Sequence, residues 1–334
     1  ALVIFFTIST KLTNNIDFLT MRTVWGITEY ATQVLICALG QTLVIISAGI
    51  DLSIGWTLGL AAVVDALVMR EMNAAGYPPL ATYLAGAFAA VIVCGAAGWG
   101  NGWLVARVKV PPFIATLGMA GIVTGAAYIL STGIPVADQP VWLGQLGNGY
   151  LAWFWPGHGF FFFNIPPEVT PDQLREMIPL MPNIVLVAII TVATMWFLLA
   201  QTQFGQHIYA IGNNIDAAIR AGIPVRRTLI WVYTLAGLLA GIAGIIWAAR
   251  FTSGAANAGQ TTTMDTVAAV VIGGASLFGG EGRIMGTVVG ALLIATIQFG
   301  LVMLNVSPFY QYVAVGGVVI VAVIVDQFGK TLGK

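Results

Sequence analysis

Only 26 of the 334 residues are Asp, Glu, Lys or Arg, whereas 58% are apolar. A water-soluble chain of this size carries about 25% charged residues, so one with 8% cannot cover its surface with ionised groups. Most of that surface must face lipid. The sequence therefore predicts an all-α, polytopic membrane protein, because only helices satisfy every backbone group inside one segment in hydrocarbon.

The 13 basic and 13 acidic residues cancel, and no basic field points to nucleic acid as a partner. The two cysteines, Cys37 and Cys94, lie inside apolar runs and read as small hydrophobes. A 19-residue window finds apolar spans near 1–10, 28–48, 54–70, 80–106, 112–131, 183–201, 228–249, 263–279, 285–304 and 309–326. The first is too short to cross a core of about 30 Å, so part of helix one is expected upstream. It lacks the basic flank and small-residue cleavage site of a signal peptide.

If the ten spans alternate, Arg107, Lys109, Arg220, Arg226, Arg227, Arg283, Lys330 and Lys334 share one side, against Lys11, Arg22, Arg70, Arg175 and Arg250 on the other. The larger group marks the cytoplasmic side. Residues 132–182 then form one long external loop, rich in Trp and Phe, that suits the headgroup level or a docking surface for an external protein. Within it, Thr170-Pro171-Asp172 before Leu174 to Ile178 has the cap, early Pro and early acid of a short helix. The connection 202–227 is cytoplasmic. There Asn214 can cap a short helix that Gly222 and Pro224 end, with a small face of Ala217, Ala218 and Ala221 suited to another protein's groove.

The polar residues that interrupt apolar runs are the candidate functional ones. Gly49-Ile50-Asp51-Leu52-Ser53-Ile54-Gly55 breaks a hydrophobic stretch, and an ionised Asp in hydrocarbon costs about 2.5–3.5 kcal/mol, so Asp51 must face protein or water. Two readings stay open: Asp51 caps the following helix at a cytoplasmic turn, or it borders a transport path at a broken helix. A second break, from Gly273 to Arg283 with Ser276 inside it, echoes the first. Gly102 followed by Pro111-Pro112-Phe113 is echoed by Gly300 followed by Ser307-Pro308-Phe309. These echoes predict two inverted halves with a path at their interface. Gly95, Gly98, Gly102, Gly237, Gly241 and Gly244 read as close helix packing. Asp65, Asn101, Gln298 and Asn305 read as interhelical hydrogen-bonding groups.

Catalytic constellations are missing from the sequence. His158 and His207 fall on opposite sides, so they cannot share a metal or a nucleophile. Gly329-Lys330-Thr331 has Ile324 where a phosphate-binding loop needs Gly, which leaves the chain without its own ATP site. Energy must come from another subunit, or from carboxylates such as Asp51, Asp65 and Asp265 in a gradient-driven carrier of a small polar solute.

Several motifs in order carry a family resemblance. They are Gly40 to Ile45 running into Gly49 to Gly55; Pro112 to Leu117; Ala210 to Asn214 with Ala217-Ala218 and Ala221 to Ile223; and Gly273 to Gly282 with Gly286-Thr287 and Gly290-Ala291. Over nearly its whole length the chain resembles the permease subunit of ribose-type ABC sugar importers. The external loop 132–182 looks longer and more aromatic than in the ribose permeases. The resemblance implies a multi-pass protein of the bacterial inner membrane that acts with a second permease copy or a related chain. It also implies an ATPase of two tandem nucleotide-binding modules, which would hold ATP and Mg, and an external binding protein that delivers a monosaccharide. On this resemblance Asn213, Asn214, Ala217, Ala218, Ala221 and Gly222 face the ATPase; as the polar groups that interrupt or flank apolar runs, Asp51, Ser53, Asn101 and Ser276 are expected to line or gate the path. No cofactor or metal is expected in this chain.

Overall fold

The computed structural model describes residues 2–324 apart from 163–169, 171–172, 174–175, 308, 318–319 and 322–323. Apolar runs with no proline beyond the first position give α1 (Leu2–Asn14), α2 (Met21–Ile46), α3 (Ile54–Ala74), α4 (Pro79–Trp103) and α5 (Pro112–Leu130). The same property gives α7 (Asn183–Gln201), α10 (Val225–Phe251), α11 (Thr262–Ile272) and α12 (Ile284–Met303). Proline opens α4 and α5, where its missing N–H costs nothing, and a π turn over Leu104–Val108 ends α4 at Lys109 in the left-handed region. Residues 309–317 are helical, and the rest of the expected span 309–326 lies largely outside the described residues, as do Lys330 and Lys334. Among the described residues, six helices are long and apolar enough to cross a membrane: α2, α4 with its π turn, α5, α7, α10 and α12.

The two central helices, α2 and α10, are buried over most of their length. They run antiparallel: Arg250 near the end of α10 meets Glu29 near the start of α2, and Gly40 abuts Ala236 midway. Small residues permit this approach. Gly98 of α4 and Gly237 of α10 likewise lie against each other's helix, as their spacing predicted.

Packing follows a two-fold pattern. Helix α10 packs on α2, α3 and α4, while α2 packs on α10, α11 and α12; α3 lies on α4 as α11 lies on α12. Exchanging α2–α3–α4 with α10–α11–α12 maps the arrangement onto itself with the central pair inverted. Gly55 and Gly259 mark the crossing: a Cβ on either would run into the carbonyl oxygen of the other. This corrects the expected pairing of breaks. The partner of the Asp51 break is residues 252–261, between α10 and α11, whereas the Ser276 break joins α11 to α12. The echo between Gly102 and Gly300 does agree with the two-fold exchange of α4 and α12.

The expected span 263–279 is also corrected. Helix α11 has 11 residues and a rise of about 16 Å, half a membrane crossing. Residues 252–261 are small and polar, with no helical stretch to continue α10, and they run along α3: Gly254 meets Ala62, and Gly59 meets Ala256. The broken helix of this chain is therefore the segment 252–272.

The described residues of the loop 132–182 carry regular structure. It holds α6 (Val141–Asn148) and a sheet of β1 (Tyr150–Trp155), β2 (Gly159–Phe162) and β3 (Ile178–Pro182), in order β2-β1-β3 and antiparallel throughout. Trp25 of α2 donates its indole N–H to the Pro179 carbonyl at 2.8 Å, fastening the sheet to the bundle. Of the helix expected from Thr170, residues 171–172 and 174–175 lie outside the described residues, Gln173 and Glu176 are helical, and Ile178 is already strand. The connection after α7 consists of α8 (Gln203–Asn213) and α9 (Ile215–Arg220).

Candidate functional site

Three of the sequence-selected polar residues come together. The Asp51 Oδ1 accepts from the backbone N–H of Ser53 at 2.8 Å and from its hydroxyl at 2.6 Å, and the Asn101 amide donates to that same hydroxyl oxygen at 2.9 Å. Asp51 and Ser53 are each 2% exposed and Asn101 is fully buried. The short aspartate turn is stabilised because the carboxylate satisfies two donors that α3 leaves free. Thr116 of α5 completes the knot by accepting from the Leu52 N–H at 3.1 Å, with the Ile50 carbonyl 3.2 Å from its hydroxyl. Thr263 of the half-helix α11 accepts from the Gly55 N–H at 3.1 Å.

The geometry bears on both readings of Asp51. Ser53 has helical backbone angles and makes no side-chain cap bond, and Asp51 accepts from its N–H, in keeping with a capping role at the start of α3. Burial also leaves Asp51 unable to line an open path in this conformation. The flanking glycines serve packing more than unwinding: the left-handed residue is Ala48, at φ 61°, while Gly49 lies under the Tyr233 hydroxyl. Asp51, Ser53, Asn101 and Thr116 together tie the α2–α3 break to α4 and α5.

Ser276 does not join that knot. Its Oγ accepts from the Phe278 N–H at 3.3 Å, and its own N–H bonds the Glu281 carbonyl at 3.0 Å, in a turn where Gly274, Gly279 and Gly280 take positive φ. That turn meets the ends of α2 and α8. The Gly280 N–H donates to the Ile46 carbonyl at 2.8 Å, Gly212 abuts that carbonyl, and Asn213 packs on Gly280. Tyr209 of α8 donates its hydroxyl to the Gly282 carbonyl at 2.7 Å. Burial raises the pKa of that phenol, and Arg283 pulls it back down.

Helix α9 follows immediately from this junction. The Asn214 Oδ1 accepts from the Ala217 N–H at 2.9 Å, and Gly222, at φ 79°, ends the helix. Its faces differ from the expected small one. Ala218 is 3% exposed, packed with Ala106, Ile211, Val225 and Leu229, so it cannot touch a partner. Asn213, Asn214, Ala217, Ala221 and Gly222 are exposed, as are Ile215 and Ile219. Residues four apart share a helix face, which puts Ile215 with Ile219 and Ala217 with Ala221.

A cleft of about 1080 Å³ opens between α9, the start of α10, the α4–α5 turn and the Ala48–Gly49 bend. Arg107, Lys109, Arg226 and Arg227 line it, and Tyr233 closes one wall. These cations share one end of the bundle, as the charge count predicted. Sequence reasoning missed Tyr233 and Thr263, which sit in ordinary helical runs with nothing to set them apart. Of the remaining polar groups, Gln298 does bond Asp265, at 3.2 Å, whereas Asp65 is fully buried beside Gly86 with neither oxygen partnered among the described residues. Asn305 takes a left-handed turn after α12. Among the described residues no group of three His, Cys, Asp or Glu could hold a metal.

Comparison with known proteins adds the family. Residues 24–323 match the family described as branched-chain amino acid transport system / permease component. The ribose import permease protein of Escherichia coli (strain K12) is 37% identical over 329 residues, 98% of this chain and 92% of that one. The fructose import permease protein of Rhizobium meliloti is 35% identical over 288 residues, 86% of this chain and 73% of that one. The xylose transport system permease protein of Haemophilus influenzae is 36% identical over 331 residues, 88% of this chain and 85% of that one. No solved structure matches.

Proposed function

The chain belongs to the branched-chain amino acid transport system / permease component family, and from that premise we propose that it carries a monosaccharide inward as the membrane subunit of an ATP-driven importer. It is a multi-pass protein of the inner membrane and a transport component rather than an enzyme. Substrate comes from an external binding protein and crosses between two permease copies, or between this chain and a related one. ATP with Mg is bound and hydrolysed in a partner of two tandem nucleotide-binding modules. The partner's cycle shifts the permease between outward-open and inward-open states, and it can do so only through contacts that differ between them.

The observation that supports this reading is the seat of α9. The exposed face carrying Ala217 and Ala221 is small enough for a partner's groove, and Asn213, at its root, packs on the Gly280 turn beside the end of α2. A push on α9 thus reaches both breaks within one layer of contacts. Asp51, Ser53 and Asn101 act in this scheme as the brace of the α2–α3 break, and Ser276 holds the other turn.

The test is Ala221→Trp, which fills the groove-facing side without touching the buried Ala218. In the complex with its ATPase, sugar uptake should fall at least about tenfold, a loss of 1.4 kcal/mol or more of coupling, while the permease keeps its unfolding temperature. Unchanged uptake would sink the assignment of α9. Uptake that a protonophore abolishes while ATP is present would replace the ATP-driven reading with a gradient-driven one.

A further inference from the structure

The cleft at the cytoplasmic end has a composition that the transport cycle does not explain. Four cations, Arg107, Lys109, Arg226 and Arg227, line it against a single carboxylate, Asp216. None of the four has an ion-pair partner among the described residues. The same cleft is lined by large apolar side chains that remain open to solvent: Ile219 at 58% exposure and Trp231 at 48%, together with Ile215. In its wall the Tyr233 side chain is fully buried and its hydroxyl has no hydrogen-bond partner among the described residues.

An inorganic anion would satisfy the cations and leave the apolar lining wet. An apolar segment would cover Ile215 and Ile219 and leave four charges facing it. A molecule with an anionic head and a hydrocarbon body satisfies both, and the cleft lies at the end of the membrane-crossing helices, where such molecules are the solvent. Basic pockets between membrane helices on the cytoplasmic side hold phospholipid head groups by this combination of charge and burial.

We propose that this cleft binds an anionic phospholipid from the inner leaflet, its phosphate among Arg107, Lys109, Arg226 and Arg227 and the start of its chains against Ile219 and Trp231. Arginine suits the phosphate because its planar fork can donate two bonds at once. Ile215, Asp216 and Ile219 are the cleft side of α9, so the bound lipid braces the helix on the side away from Ala217 and Ala221. Lipid and protein partner therefore occupy opposite faces of α9, and the site does not depend on the proposed transport function.

The test uses the purified full-length chain without any ATPase. Phosphatidylglycerol, phosphatidylcholine of the same chains, or inorganic phosphate is added, and retained ligand is read by native mass spectrometry beside the unfolding temperature. Phosphatidylglycerol should stay bound and raise the unfolding temperature, and phosphatidylcholine should not. Replacing both arginines, Arg226→Gln with Arg227→Gln, should lower its retention by about tenfold or more, while Arg70→Gln on the opposite end changes nothing. Ile219→Ser tests the apolar half and should weaken phosphatidylglycerol. Equal retention of the two lipids, or retention untouched by the double substitution, overturns the proposal. Stabilisation by inorganic phosphate that the double variant loses would make the cleft a plain anion site and overturn the lipid assignment. If the double variant keeps its phosphatidylglycerol but, in a separate purification with the ATPase present, fails to hold that partner, the arginines belong to protein docking and the proposal is overturned.

Discussion

The two ends of the bundle handle their charges in opposite ways. At the end expected to be external, Lys11 pairs with Asp17 at 2.8 Å, Arg70 with Glu71 at 2.9 Å, and Arg250 with Glu29 at 3.4 Å, where it also lies over the Tyr30 ring. Burial, followed by the Glu29 carboxylate, pushes the Tyr150 phenol above its ordinary value, a sign of how closely the sheet closes on this pair. At the end expected to be cytoplasmic, Arg107, Lys109, Arg220, Arg226, Arg227 and Arg283 make no ion pair among the described residues. At the first end three of the four described cations are paired, Arg22 being the exception, whereas at the other end none of the six is. An interface that must engage and release partners has to keep its charges unpaired in the free chain, whereas a structural end gains from pairing them.

The contrast can be broken most severely at the external end. Gly147 of α6 faces the backbone of Ala249 and Arg250, and any Cβ there would strike it. Gly147→Leu should destabilise the chain by at least about 3 kcal/mol, because backbone on both sides cannot yield as a side chain can. The detergent unfolding temperature and the yield of folded protein should both fall, with uptake per folded molecule unchanged. Uptake lost from a chain of normal stability would mean that the external end takes part in the transport cycle, and the division would fail.

Next in size is the charge itself. Arg250→Met leaves Glu29 half-buried without its cation, removes a 2.9 Å bond to the Glu29 carbonyl and loses the contact with Tyr30. A loss of about 1–3 kcal/mol follows. Arg220→Gln at the other end removes an exposed, unpaired charge and should stay within about 0.5 kcal/mol. Comparable shifts in unfolding temperature for the two variants would show that the ends do not differ. Adding Glu29→Gln to Arg250→Met should recover part of the loss, since the stranded carboxylate is then neutral.

Much of this division was legible before any fold. Charge counting put Arg107, Lys109, Arg226 and Arg227 on one side because lipid forbids them anywhere else, and periodicity located the helices because apolar runs of that length have few alternatives. The Asn214 cap and the Gly222 stop were visible because short polar and flexible residues act locally. What sequence could not supply was direction around a helix only two turns long. Ala217, Ala218 and Ala221 look alike in one dimension, but the neighbours that bury Ala218, from Ala106 to Leu229, come from three other elements. The pairing of breaks failed for a related reason. Glycine-rich texture drew the Asp51 and Ser276 turns together, while the true two-fold partner, residues 252–261, shares with the first break a position in space and the Gly55–Gly259 crossing. Asp51 was rightly placed against protein by its desolvation cost, but that cost is met by Ser53, a residue two positions away, and not by a path.

Gly222 gives the smallest and most local test of the open end. A Cβ there would meet nothing within 4 Å, so its cost is purely conformational: at φ 79° a residue other than glycine loses about 1 kcal/mol. Two hydrogen bonds depend on that turn, from the Gly222 N–H to the Ile219 carbonyl at 3.0 Å and from the Ile223 N–H to the Ala218 carbonyl at 3.0 Å. Gly222→Ala should leave the global unfolding temperature nearly unchanged, because α9 is a short peripheral helix that can open while the bundle stays folded. Hydrogen exchange at the Ile223 amide should instead quicken by about fivefold, the factor that 1 kcal/mol gives. A fall in global stability of the same size would mean that α9 unfolds only with the bundle, and the cytoplasmic end would then be as locked as the external one.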